Sequence, residues 1–224
     1  MSPIHRHLFR IAAAGLMAAG LAGPARAGIV ISDLYNTGVN SDGTLATNGS
    51  TDLHYTVVND GPTAPAAGAP FVYQAGTIGP WVTSPVAQWL SPYPSSQYTQ
   101  ANEGFTYTTM FTIGNDADLL TAVITGQLSV DDKLLDVRLN GNSLGITTGD
   151  EVYGSWKAFS ITSFFQKGAN TLEFVTLNTH NGPTGLIVDM EGQYNAVPEP
   201  ASLSLMGAGL VGLMGLRQWR KRNA

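Results

Sequence analysis

Residues 105–113, FTYTTMFTI, set Phe105, Tyr107, Phe111 and Ile113 against Thr106, Thr108 and Thr112 in strict alternation. A period of two places the sets on opposite faces of an extended chain, which predicts a half-buried strand rather than an amphipathic helix. The segment LLDVRLNGNSLG repeats the pattern, with Leu135, Val137 and Leu139 opposite Asp136, Arg138 and Asn140. It then supplies Asn140-Gly141, a dipeptide that tight hairpins favour. In GLIVDMEG, Leu186, Val188 and Met190 alternate with Ile187, Asp189 and Glu191. Each such strand has an apolar face to cover, and antiparallel sheets packed against each other cover it.

Other segments fit the same class. DLLTAVITGQLSV and SITSFFQKGAN allow short helices, but their β-branched residues and threonines favour strands or a single turn. TLEFVTLN is apolar on both sides, as a strand inside a sandwich would be. NDGPTAPAAGAP, 59–70, reads as a surface connection rich in Pro, Ala and Gly. No repeat of fixed period occurs. The chain has no cysteine, so neither disulfides nor thiol-ligated metal sites can stabilise it, and the core must do so.

The ends differ from the middle. Arg6 and Arg10 precede an apolar run from Ile11 to Leu21 that closes on Ala25-Arg26-Ala27, the pattern of a secretory signal peptide over 1–27 with Gly28 as the new amino terminus. At the other end, 197–224, Val197-Pro198-Glu199-Pro200 leads into an uncharged run from Ala201 to Leu216 and a basic end at Arg217, Arg220, Lys221 and Arg222. As a helix the run reaches about 24 Å at 1.5 Å per residue, short of a hydrocarbon core of about 30 Å. The cations would hold its end on the cytoplasmic side. The prolines keep the helix from extending backwards and leave an accessible tripeptide outside the membrane. Between the two ends, 28–196 carries four Lys and Arg against fifteen Asp and Glu, a formal charge of −11. Such a surface repels phosphate backbones and excludes nucleic acid as a partner. The roughly 170 residues suit one domain burying about two thirds of its unfolded surface. GIVISDLY and DLHYTVV are too few to enclose a second core, so Gly28 to Gln100 is expected in the same sandwich.

The three-part tail resembles the PEP-CTERM sorting signal of Gram-negative, exopolysaccharide-producing bacteria. The resemblance implies an exosortase-type enzyme acting at Pro198, Glu199 and Pro200, transient insertion in the inner membrane, and a mature protein at the outer surface or outside the cell. Residues 103–194 resemble the galactose-binding-like jelly roll. They carry an acidic pair (Asp131, Asp132) before a strand ending in Asn140-Gly141, a Gly168-x-Asn170 turn opening the next long strand, and Gly185-Leu186 beginning the last. The fold expected is therefore an all-β jelly-roll sandwich flanked by a cleaved leader and a short hydrophobic sorting helix.

Catalytic signatures are weak. Gly141-Asn142-Ser143-Leu144-Gly145 has the letters of a nucleophile elbow, but a hairpin dipeptide precedes the serine and no helical pattern follows, so it reads as a turn. Only His54 and His180 remain in 28–196; His54 sits in strand-like DLHYTVV and reads as structural. His180, in the polar loop NTHNGPTG, could join Asn178 and Asn181 in hydrogen-bonding sugar hydroxyls, although a turn needing Asn and Gly is the plainer reading. Trp81, Trp89, Tyr93 and Tyr98 could form a stacking platform for glycan rings, with core packing the commoner outcome for such residues. Asp131 and Asp132, with Asp116 and Asp118, offer the best candidate for a structural calcium. Glu103, Glu173 and Asp189 could be paired as glycosidase carboxyls only at separations that sequence does not give. The composite expectation is a non-catalytic secreted or surface-displayed protein of the exopolysaccharide matrix. A lectin-like carbohydrate-binding module and a calcium-dependent glycan hydrolase are the alternatives.

Overall fold

In the computed structural model of the chain, residues 28–60, 68–74, 79–94, 101–197, 207 and 209–210 are described. The leader 1–27, the triplet Pro198, Glu199 and Pro200, and most of the sorting helix lie outside these residues. Among the described residues no helix is long and apolar enough to cross a membrane. The strands are β1 (Ile29–Val30), β2 (Tyr55–Asn59), β3 (Phe71–Tyr73), β4 (Trp89–Ser91), β5 (Glu103–Ile113), β6 (Ala117–Asp131), β7 (Lys133–Leu139), β8 (Asn142–Ser143), β9 (Lys157–Ile161), β10 (Gly168–Asn178) and β11 (Gly185–Ala196).

They form two antiparallel sheets. One runs β3-β4-β11-β6-β9, with β1 also on β11; the other runs β2-β5-β10-β7-β8. From β5 onward the chain crosses between sheets at nearly every step, with only β7 and β8 remaining together as a hairpin. This alternation inserts β10 between β5 and β7, and β6 between β11 and β9, which is the jelly-roll wrap. The earlier strands join the same two sheets: β2 pairs with β5, while β1 and β4 pair with β11.

The core lies between the sheets. Phe105, Tyr107, Phe111, Ile113, Leu172 and Phe174 from one side meet Ile124, Leu128, Val130, Leu186 and Val188 from the other. The alternation in 105–113 thus sends its aromatics inward together with Thr109, and the face of Thr106, Thr108 and Thr112 is left half-buried or exposed. The Asn140-Gly141 turn forms as the sequence requires, with φ of 53° and 77°. DLLTAVITGQLSV is a strand throughout.

Four local expectations change. Leu135, expected on the apolar face with Val137 and Leu139, is exposed, because a bulge in the pairing with β10 skips it and turns Leu134 inward. His54 precedes β2 instead of lying in it, because the Asp52 carboxylate accepts the backbone N–H groups of His54 (2.7 Å) and Tyr55 (2.8 Å) and turns the chain there. TLEFVTLN alternates, with Leu172 and Phe174 buried and Glu173 and Val175 half-buried. Ile187, expected on the polar face of its strand, is fully buried in a second apolar cluster with Trp81, Ala87 and Trp89. The 79–90 segment covers that outer face. Gly185 permits the close approach: a Cβ there would stand 2.9 Å from the Leu90 carbonyl oxygen and 3.1 Å from the Trp81 ring.

Candidate functional site

Strand order decides which loops meet. Asp131 on β6 pairs with Gly185 on β11, and Lys133 on β7 pairs with Leu177 on β10. The β6–β7 junction and the β10–β11 loop therefore open at one end of the sandwich. The β8–β9 loop is drawn to the same end, where Thr148 Oγ1 accepts the Leu134 N–H at 2.8 Å. Together with 79–81 they line a cleft of about 310 Å³ that contains Trp81, Asp131, Asp132, Glu151, Tyr153 and His180.

The two aspartates have different environments. Asp131 accepts the Trp81 indole N–H at 2.8 Å, and its main-chain oxygen accepts the Thr184 hydroxyl at 2.7 Å. Burial pushes its carboxyl up to about 8, reinforced by its hydrogen bond to Asp132 and by the charges of Asp132 and Glu151, with the Trp81 bond opposing. At neutral pH Asp131 is thus mainly the protonated partner. Burial also acts to raise Asp132, but the bond from Asp131 and those from His180 and Thr179 outweigh it and hold this carboxyl below its usual range. Asp132 Oδ2 accepts the Thr179 N–H (2.8 Å), the Thr179 hydroxyl (3.0 Å) and the His180 N–H (3.0 Å).

The Thr179 hydroxyl also lies 2.8 Å from Asp150 Oδ1 and 2.9 Å from His180 Nδ1. It has one proton for several acceptors, so the cluster has more acceptor capacity than donors. His180 Nδ1 stands 3.5 Å from Asp132 and 3.8 Å from Glu151. Ligand atoms of Asp132, Asp150 and His180 fall within 4.8 Å of one another. Two carboxylates and an imidazole provide fewer oxygens than the 6 to 8 that calcium takes, whereas a mixed oxygen and nitrogen set suits a first-row divalent ion.

Of the residues singled out from sequence, His180, Asn181, Asp131 and Asp132 line this cleft and Trp81 presents an edge to it. Asn181 is held by accepting the Ala101 N–H at 2.9 Å. Asn178 is buried beneath the loop and donates to the His180 carbonyl at 2.6 Å, so it shapes the loop instead of meeting a ligand. The tryptophans form no exposed stacking platform: Trp89 is 0% and Trp81 6% exposed, and their rings pack on each other at 4.1 Å. Ile187 and the backbone of β4 and β11 need that cover. Tyr93 packs edge-on against Phe105, with its hydroxyl accepting from Asn59 and donating to Glu103, and does not line the cleft. Tyr98 lies outside the described residues. Asp116 and Asp118 do not join Asp131 and Asp132. The length of β6 separates the pairs by on the order of 40 Å at about 3.3 Å per residue. Asp150, Glu151, Tyr153 and Thr179 were not anticipated; the acidic pair in TTGDEVYG was the one local signal for them.

Residues 196–221 match the PEP-CTERM protein-sorting motif, which indicates an exported, membrane-passing, sorted chain. No curated protein matches the sequence. Among solved structures the chain is similar to a family 35 carbohydrate-binding module from Clostridium thermocellum, with 12% identity over 56% of this chain and 98% of that one and a TM-score of 0.31. It is also similar to the CBM36-1 domain of a multidomain xylanase from the hindgut metagenome of Trinervitermes trinervoides, with 17% identity, coverage of 64% and 99%, and a TM-score of 0.31. A third is CBM35 from Paenibacillus barcinonensis, with 15% identity, coverage of 53% and 86%, and a TM-score of 0.29. At such scores the jelly-roll assignment rests on the strand order itself.

Proposed function

We propose that the chain is a non-catalytic β-sandwich protein of the extracellular exopolysaccharide matrix, delivered there by its C-terminal signal and trimmed by an exosortase-type enzyme. The supporting observation is the sorting motif at 196–221, which begins on the last residue of β11 and so follows the sandwich without a spacer. The test is the mass of the mature species recovered from outside the native host. A chain starting at Gly28 and ending near the Pro198-Glu199-Pro200 triplet is expected; an intact carboxyl terminus on the extracellular protein would sink the proposal.

A lectin-like role is the second reading, favoured by the cleft at Asp131, Asp132 and His180, where polar groups converge beside the Trp81 edge. The acidic surface points to a neutral, hydroxyl-rich glycan, with a divalent cation at Asp132, Asp150 and His180 as an auxiliary ligand. A neutral-glycan array probed in EDTA, in calcium and in manganese tests both parts. Retention that needs a cation and is lost in His180→Ala supports them, and no retained glycan in any condition removes the lectin role. Glycan turnover abolished by Asp132→Asn or Asp150→Asn would replace both readings with a hydrolase.

A further inference from the structure

The two ends of the sandwich differ in what they expose, and both chain termini leave from one of them. β1 lies antiparallel on the last turn of the ladder, with Ile29 opposite Tyr194 and Val30 opposite Gln193, so the chain enters beside the point where it exits. At the exit β11 stays paired to Ala196, opposite Ala117, and the Val197 N–H donates to the Asp116 carbonyl at 2.7 Å. Tyr194 fixes this corner, buried in the core with its hydroxyl accepting the Gly114 N–H at 3.1 Å. The apolar run of the tail begins at Ala201, four residues after Val197, a tether of at most about 14 Å. That is comparable with the headgroup layer, which adds roughly 5 to 8 Å on each side of the hydrocarbon.

The same end carries exposed apolar side chains. Opposite Tyr194 the β6–β11 register jumps, and the extra residues of β6 bulge outward with Leu120 at their tip, 95% exposed. Phe164, in the turn between β9 and β10, is 49% exposed; Val30 is 68% and Val197 50% exposed. Asp116 and Lys167 are exposed at this end too, Lys167 donating to the Asn115 carbonyl at 2.7 Å, whereas the loops at the opposite end expose Asp150, Glu151, His180 and Asn181. A single exposed leucine is ordinary on a soluble surface, but several exposed apolar side chains at the end from which a membrane-directed tail leaves suit a bilayer interface, where Leu and Phe are the residues that enter it.

We propose that in the membrane-inserted precursor this end of the sandwich rests on the lipid surface through Leu120, Phe164, Val30 and Val197. The cleft then faces away from the bilayer, about 36 Å further out at about 3.3 Å per residue of β11. This rests on the sorting reading above, in that the tail must be inserted. The cysteine-free chain suits single-cysteine labelling. Full-length protein carrying Leu120→Cys, Phe164→Cys, Asn181→Cys or Leu213→Cys, labelled with an environment-sensitive fluorophore, is reconstituted in phosphatidylcholine vesicles containing spin-labelled lipid. Headgroup spin labels should quench the probes at 120 and 164 several-fold more than the probe at 181, and acyl-chain spin labels should quench the probe at 213. Equal quenching at 120, 164 and 181 with the 213 probe quenched overturns the orientation while leaving the inserted tail intact. An unquenched 213 probe overturns the insertion and the orientation with it.

Discussion

Replacing Asp131 with asparagine should remove a pH dependence built into the cleft. In the folded chain burial pushes this carboxyl from 3.8 up to about 8. Between these values the folded form holds a proton that the unfolded chain has released, so stability is full below about pH 4 and declines as the pH rises toward 8. One proton sets a limiting slope of about 1.4 kcal/mol per pH unit. Even a quarter of that slope amounts to about 1 kcal/mol between pH 5 and pH 8, which urea titration resolves. The amide introduced by Asp131→Asn cannot ionise, yet its oxygen can still accept the Trp81 indole N–H and its nitrogen can donate to Asp132. Urea unfolding of residues 28–197 in EDTA at pH 5, 6.5 and 8 should therefore show the wild type losing stability relative to the variant as the pH rises. The comparison cancels the other titrating groups, including Asp52, which burial also raises. A difference that is flat across this range, or that favours the wild type at high pH, would refute the assignment of a protonated Asp131.

Three further outcomes can be checked on the same segment. Trp89→Ala empties a fully buried site and removes the partner of Trp81, and should cost about 3 to 5 kcal/mol by urea unfolding. Gly185→Ala sets a methyl group against the Leu90 carbonyl and both indoles; a loss of about 1 to 3 kcal/mol is expected, read as a lowered melting temperature. Gly141→Val forces a β-branched residue to φ of 77° at the β7–β8 turn, and a loss of about 1 to 2 kcal/mol should appear even though nothing stands near a Cβ built there.

What the sequence determined by itself is local. Period two in 105–113, 135–140 and 185–192 specified strands because the alternation of side chains is a property of the extended backbone, although a bulge at Leu135 turned Leu134 inward in its place. Asn140-Gly141 specified its turn because two successive positive φ values suit few other residues. The tail was legible because its three parts act in linear order. Only the tertiary structure decided the rest. Trp81 and Trp89 lie in a segment without periodicity, and their burial depends on Ile187, which is remote in sequence. Asp116 and Asp131 are fifteen positions apart yet at opposite ends of an extended strand, while Asp132 meets the backbone N–H of Thr179, forty-seven positions on, at 2.8 Å. An extended chain drives sequence neighbours apart at about 3.3 Å per residue, and antiparallel return brings distant residues together. The make-up of the cleft therefore follows from strand order, which no single segment encodes.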